Sequence, residues 1–295
     1  MSHVLTLIGN SDTELTQDHV DAVAAAIGTK SAPTWLKQNH ACDFSGITSD
    51  TALLDAARSA LNSTPIDVVC QPVAHRRKKL LVADMDSTII EQECIDELAD
   101  ALGIRNAISE ITERAMRGEL EFEPALRERV GLLKGLAESE LQRVYETQIT
   151  ETPGGRTLCA TMRKHGGTCA LVSGGFTFFT ERVAKSVGFT SNQANTLLVE
   201  NGALTGEVSD PILGREAKVS ALKSLASDLK INALETMAVG DGANDLGMIG
   251  EAGLGVAFHA KPVVAAAAPA QINHGDLSAL LYIQGYRSDE IVNPT

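Results

Sequence analysis

Short apolar runs and helical stripes divide the chain into three patterns. Val4–Ile8 and Pro65–Val73 read as strands, residues 18–27 and 51–61 read as helices with apolar positions at helical spacing, and Gly28 closes the first of them. Trp35 and Phe44 mark two further strands, so residues 1–75 have the order βαββαβ. Leu80–Ala83, Cys169–Val172, Met237–Val239 and Gly253–Phe258 are apolar runs of the kind a parallel sheet needs for strands covered on both faces. Helices over 176–187 and 218–226 alternate with them, and Leu197–Glu200 and Ala203–Val208 flank Asn201 and Gly202, a hairpin signal. From Cys94 to Ile149 the pattern is helix after helix, with stripes at Ile95, Leu98, Ala99 and Leu102; Ile108, Ile111 and Ala115; Phe122, Leu126 and Val130; and Leu141, Val144 and Tyr145.

The predicted fold class is α/β. A doubly wound parallel-sheet core occupies 76–93 and 153–295, a helical cap 94–152, and a small N-terminal α+β domain 1–75. The cap stops at Pro153, Gly154 and Gly155, a hinge, and an insertion there folds over the end of the sheet as a lid. The basic run His75, Arg76, Arg77, Lys78 and Lys79 reads as a solvated linker.

Composition narrows the function. The chain has 295 residues, 44% hydrophobic but only 4% aromatic, which suits aliphatic α/β layers more than a β-sandwich. A formal net charge of −13 argues against nonspecific nucleic-acid or anionic-membrane binding, so an anionic substrate must meet a local positive site. Cys42, Cys70, Cys94, Cys159 and Cys169 form no C-x-x-C pair and predict reduced thiols rather than a zinc site or disulfide framework. No apolar stretch is long enough to span a bilayer, and the reading is a soluble cytoplasmic protein.

The chemistry gathers at strand ends. Asp84, Met85, Asp86, Ser87 and Thr88 follow Leu80–Ala83 directly, and two carboxylates so close at the end of a buried strand repel unless a cation lies between them. Met237–Val239 leads into Gly240, Asp241, Gly242, Ala243, Asn244 and Asp245, so Asp84, Asp86 and Asp241 should share one crevice and a divalent metal. Ser173 and Gly174 sit at a third strand end, where a hydroxyl and backbone amides can hold phosphate oxygens. Lys218, at the start of a helix, is unremarkable alone.

Together, DMDST at 84–88, SGG at 173–175, Lys218 and GDGAND at 240–245 resemble the haloacid dehalogenase superfamily of phosphatases over residues 79–295. DSTII-x-x-E ending at Glu93, Phe122 and Arg129 in the cap, and the VSGGF and AFHAKP stretches resemble the phosphoserine phosphatase family within it. The resemblance implies hydrolysis of O-phospho-L-serine, the last step of serine biosynthesis, with Asp84 as nucleophile and Asp86 as general acid and base. It implies Mg²⁺ held by Asp84, the main-chain carbonyl of Asp86, and Asp241, with Asp245 behind them. Ser173, Gly174, Lys218 and Asn244 would grip the phosphate. Glu93 would take the substrate ammonium, and an arginine its carboxylate. Spacing leaves Arg114, Arg117, Arg127 and Arg129 open; the resemblance points to Arg129. Met116 and Phe122 are candidates to shield the site. The first module resembles ACT-like regulatory domains in element order alone and reads as a packing or dimerisation unit, which leaves a homodimer open. Rival readings are a P-type ATPase-like phosphotransferase, disfavoured by Asp86, a phosphatase of sugar phosphates or phosphohomoserine, and an amino-acid sensor working through the first module.

Overall fold

The computed structural model describes residues 2–48, 51–116 and 119–294. Strands β1 (His3–Ile8), β2 (Thr34–Lys37), β3 (Ala41–Ile47) and β4 (Asp67–Pro72), with helices α1 (Gln17–Ala26) and α2 (Thr51–Ala60), realise the βαββαβ order. Their sheet has the order β2-β3-β1-β4, every pair antiparallel. Alternation along the strands sends Leu5, Leu7, Cys42 and Phe44 toward Val20, Val23 and Ala57 of the two helices. The opposite face, with Ile8, Leu36, Ala41 and Val69, belongs to the core of the larger domain. This sheet is therefore buried on both sides.

The larger sheet is parallel throughout, with the order β12-β11-β10-β5-β6-β7. Its strands are β5 (Leu80–Ala83), β6 (Thr168–Phe176), β7 (Ser191–Asn195), β10 (Thr236–Gly240), β11 (Leu254–Phe258) and β12 (Ala270–Ile272), and its helices are α7 (Gly155–Lys164), α8 (Thr177–Val187), α9 (Arg215–Asp228), α10 (Leu246–Glu251), α11 (Pro262–Ala267) and α12 (Ala279–Ile283). Leu80, Val82, Ala170, Val172 and Ala238 pack on Ala221, Leu222 and Met248 of α9 and α10. Leu81, Ala83, Leu171 and Val239 face the other way, in the core that takes in Leu158, Phe179 and Leu280 of α7, α8 and α12. The sheet is thus wound on both faces, and β5, β6 and β10, which carry the polar motifs, are neighbours at its centre.

Between β5 and α7 lie α3 (Cys94–Ala101), α4 (Arg105–Met116), α5 (Phe122–Leu132) and α6 (Glu138–Gln148). The hairpin β8 (Leu197–Glu200) and β9 (Ala203–Val208) turns at Asn201 and Gly202 as the pattern predicts and backs onto this helical layer, Leu204 exchanging backbone hydrogen bonds with Gly135 and Leu136 at 2.8 Å. The two connectors of the layer touch each other, Glu91 N donating to Thr150 O (3.0 Å) and Thr152 N to Ile89 O (2.9 Å). Gly154 follows at φ 83°, and a Cβ there would collide with the backbone nitrogen of Ser278, so only glycine lets the chain turn this close to α12.

Two expectations need correction. The basic run is solvated only in part: His75, Arg77 and Lys79 are exposed, whereas Arg76 and Lys78 turn into the protein. Arg76 pairs with Asp43 at 2.6 Å and donates to the carbonyls of Ile283 (2.7 Å) and Tyr282 (3.0 Å), with its side chain only 14% exposed. Lys78 is buried, donates to Leu234 O, and is pushed down to about 8 by that burial. Arg77 lies over the Tyr286 ring and binds Glu290. Because β5 starts at Leu80 in the middle of a buried sheet, the residues leading to it run through protein and their charges must find partners. The second correction concerns β6, which does not stop at Val172: it continues irregularly through Ser173, Gly174 and Gly175 to Phe176 before α8 begins.

Candidate active site

At the end of β5 the Asp84 amide still donates to Val239 O (3.0 Å), so the first carboxylate leaves the sheet in register with β10. The backbone then coils on itself, with the amides of Ile89 and Ile90 both donating to Met85 O (2.8 and 3.0 Å) and Ser87 at φ 54°. This tight turn, anchored by wholly buried Met85, brings Asp86 to face β6. Cys94 N donates to Asp86 Oδ1 (2.8 Å) and Ser173 Oγ to Oδ2 (3.1 Å). Burial first, and Asp84 second, push the Asp86 carboxyl above its ordinary range.

Lys218, on α9, is sealed beneath the site. Its Nζ lies 2.7 Å from Asp84 Oδ1 and 2.6 Å from Asp245 Oδ1. Burial pulls this ammonium's pKa down, but Asp84 and Asp245 together outweigh it and hold the pKa above the usual lysine range. Asp241, at the end of β10, accepts from Thr88 Oγ1 (3.4 Å) and is raised to about 6 by burial and by Asp84. Ligand oxygens of Asp84, Asp241 and Asp245 come within 4.8 Å of one another. Both oxygens of Asp245 are already engaged, one by Lys218 and the other by the Gly242 amide (3.1 Å). Asp84 and Asp241 are therefore the outward-facing pair. Oxygen-only donors, and carboxylates outnumbering the Lys218 ammonium beside them, fit a small hard divalent cation such as Mg²⁺.

These groups open onto a pocket of about 620 Å³ beneath the helical layer. Asp84, Asp86, Ser173, Gly174, Asp241 and Asn244 line its floor, while Glu93 and Arg129 line it from the layer above. Lys218 and Asp245 lie behind the wall. Glu93 accepts from Ser87 Oγ (2.7 Å), and burial, then Asp86, raise it to about 8. The structure separates the arginines. Arg114 is at the surface with Glu119 and Glu128, Arg127 is at the surface with Glu123 and Asp210, and Arg117 lies outside the described residues, as does the side chain of Met116. Arg129 reaches the pocket.

Phe122, at the start of α5, packs on Gly174 of the floor and on Gly214 before α9: a Cβ on Gly174 would sit 3.1 Å from its Cζ, and one on Gly214 3.1 Å from its Cδ1. Gly175 is as constrained, since a Cβ there would lie 2.7 Å from Asp86 Oδ2. The pocket also includes Thr112 and Arg215, which sequence reasoning passed over, and Lys261, which it quoted within the AFHAKP stretch without giving it a role. Arg215 precedes Lys218 by three residues, a helical spacing that puts both on one face and was the available signal. Lys261 N donates to Asp241 O (3.2 Å), a contact between distant loops that leaves no trace in local pattern.

Residues 81–249 match the haloacid dehalogenase-like hydrolase family. The chain is 41% identical to a phosphoserine phosphatase of Streptomyces coelicolor, over 80% of this chain and 57% of that protein. It is 42% identical to a probable phosphoserine phosphatase of Schizosaccharomyces pombe, over 77% of this chain and 76% of that one. Among solved structures it is similar to a probable phosphoserine phosphatase from Vibrio cholerae in unliganded form, with a TM-score of 0.80 and 33% identity over 98% of this chain and 88% of that one.

Proposed function

The chain belongs to the haloacid dehalogenase-like hydrolases and, among them, to the phosphoserine phosphatase family, and on that footing we propose that it hydrolyses O-phospho-L-serine to serine and phosphate through a phosphorylated Asp84. The observation that carries the reading is that Glu93 and Arg129, an acid and a base, line the same pocket as the Asp84, Asp86 and Asp241 crevice. A phosphorylated amino acid presents an ammonium and a carboxylate beyond its phosphate, and this pocket offers one complement to each.

Asp84 attacks phosphorus in line with the serine oxygen, forming the carboxylate–phosphorus bond as the phosphorus–serine bond breaks. Asp86, whose carboxyl burial pushes above its ordinary range, acts as the general acid and gives its proton to the departing oxygen. As a carboxylate it then takes a proton from the water that attacks phosphorus, releasing phosphate and restoring Asp84. Ser173 and Gly174 hold phosphoryl oxygens, Asn244 adds a hydrogen bond, and Lys218 steadies Asp84 from behind. Asp84, the Asp86 carbonyl and Asp241 would hold Mg²⁺, which when bound offsets charge on the transferring phosphoryl group. Glu93 takes the ammonium and Arg129 the carboxylate. The product makes this the last step of serine formation, in the cytoplasm, and the division at residues 1–75 and 94–152 is part of the same proposal.

The test is phosphate release from a panel of phosphorylated amino acids, sugar phosphates and phosphohomoserine, with Mg²⁺ and with EDTA. Phosphoserine should lead the panel, EDTA should stop turnover, and Asp84→Asn should abolish both turnover and labelled phosphate on the protein after rapid quench. Preference for a sugar phosphate, or normal turnover by Asp84→Asn, would overturn the reading.

A further inference from the structure

Arg129 is held by more than its own stem. Its Nε donates to Ala125 O on the same helix (3.2 Å), and its Nη1 donates across the layer to Thr112 Oγ1 on α4 (3.4 Å). A guanidinium has donors only, so the Thr112 hydroxyl serves Arg129 as an acceptor, while its own hydrogen goes to Ile108 O (3.1 Å) one turn back. Two helices thus fix two of the three guanidinium nitrogens. A planar guanidinium pinned at Nε and Nη1 has its plane determined, which leaves Nη2 and the second Nη1 hydrogen to present.

The surroundings sharpen the point. Glu93, Asp96 and Asp86 face Arg129 electrostatically, yet among the described residues no carboxylate is hydrogen-bonded to it. Burial lowers the arginine's pKa, and those three acids oppose that shift. A cation in this position, freed of its tether, would swing toward the protein's own acids. Thr112 lines the pocket itself but has no charge to offer a substrate.

We infer that Thr112 is a positioning residue for substrate selection: its hydroxyl orients Arg129 to receive the carboxylate of a phosphorylated amino acid. The inference deepens the proposed function and rests on its assignment of Arg129. It gives α4 a role in specificity, since α4 supplies the acceptor that aims a residue of α5.

The experiment compares wild type, Thr112→Val, Thr112→Ser and Arg129→Ala on three substrates: phosphoserine, O-phosphoethanolamine, which keeps the ammonium but lacks the carboxylate, and p-nitrophenyl phosphate, which lacks both. Thr112→Val preserves shape and removes the acceptor. It should raise KM for phosphoserine on the order of 10-fold, within the range for a hydrogen bond to a charged group, while changing the other two substrates by less than about 2-fold. Thr112→Ser should return the phosphoserine KM to near wild type. Full turnover of p-nitrophenyl phosphate by the valine variant reports an intact catalytic centre. An unchanged phosphoserine KM in Thr112→Val, or equal losses on all three substrates without rescue by serine, would overturn the inference. Arg129→Ala separates the two levels. If it selectively loses phosphoserine while Thr112→Val does not, the positioning role fails and the substrate reading stands. If it loses all three equally, the reading of Arg129 fails and takes this inference with it.

Discussion

Lys218 Nζ and Asp84 Oδ1 lie 2.7 Å apart with both side chains almost sealed from water, 2% and 7% exposed. The ammonium also holds Asp245, so one cation underlies two carboxylates. Lys218→Met should leave both uncompensated at a cost of about 3–5 kcal/mol, the penalty for breaking a buried pair. Activity should fall by at least about 10²-fold, as for loss of a preorganised charge beside the reacting group. Denaturant unfolding and kcat on the same preparation check both. A variant of native stability would mean that the carboxylates simply take up protons.

Gly175 guards the geometry of Asp86. A methyl there would press on Asp86 Oδ2 at 2.7 Å and Ser173 Oγ at 3.1 Å. Gly175→Ala should therefore displace Asp86, the proposed acid–base group, and lower kcat on the order of 10²-fold, with circular dichroism and melting close to wild type. Near-normal kcat would show that the floor yields easily.

Glu93 makes stability depend on pH in the absence of ligand. Burial, then Asp86, raise it from 4.5 to about 8. The folded state keeps a proton that the unfolded chain has released between those values. Its contribution is therefore fully present below about pH 4.5 and lost as pH rises through about 8. Glu93→Gln removes this dependence, so ligand-free melting curves should favour the variant over wild type more at pH 8.5 than at pH 5. A difference constant with pH would place the Glu93 titration elsewhere.

Arg76 ties the N-terminal sheet to α12. Arg76→Met leaves Asp43 buried without its cation and should cost about 3–5 kcal/mol. A chain starting near residue 76 would uncover the core surface now facing Ile8, Leu36, Ala41 and Val69, and should aggregate or melt early even though the pocket lies elsewhere. Scanning calorimetry of both proteins checks this. An active truncation as stable as the full chain would show that the N-terminal sheet is dispensable.

Apolar runs carried most of the architecture. Central parallel strands must be apolar on both faces, so β5, β10 and β11 stood out, and the carboxylates at the ends of β5 and β10 followed from the rule that such sheets bind ligands there. Helical spacing was less informative about contacts between helices. It places Arg127 and Arg129 on different faces of α5 but cannot say which face meets the sheet, and the choice of Arg129 rested on resemblance. Thr112 and Lys261 were given no role for the same reason: their partners, Arg129 and Asp241, lie on other elements. Arg76 and Lys78 misled because a cluster of basic residues is ordinarily solvated, and their acceptors are carbonyls remote in sequence that no composition reveals.

The doubly covered N-terminal sheet also bears on how the chain is made. Gln71 donates to Ile283 O across 212 residues, and Leu36 O accepts from Ser288 N. A ribosome delivers the small sheet long before the segment that covers its second face. Until then Ile8, Leu36, Ala41 and Val69 form an open apolar surface beside unfolded nascent chain, the kind of patch a chaperone holds. The half-made chain, more than the finished enzyme, is thus the stage at which a charge introduced at Ile8 or Val69 would help solubility while preventing completion of the fold.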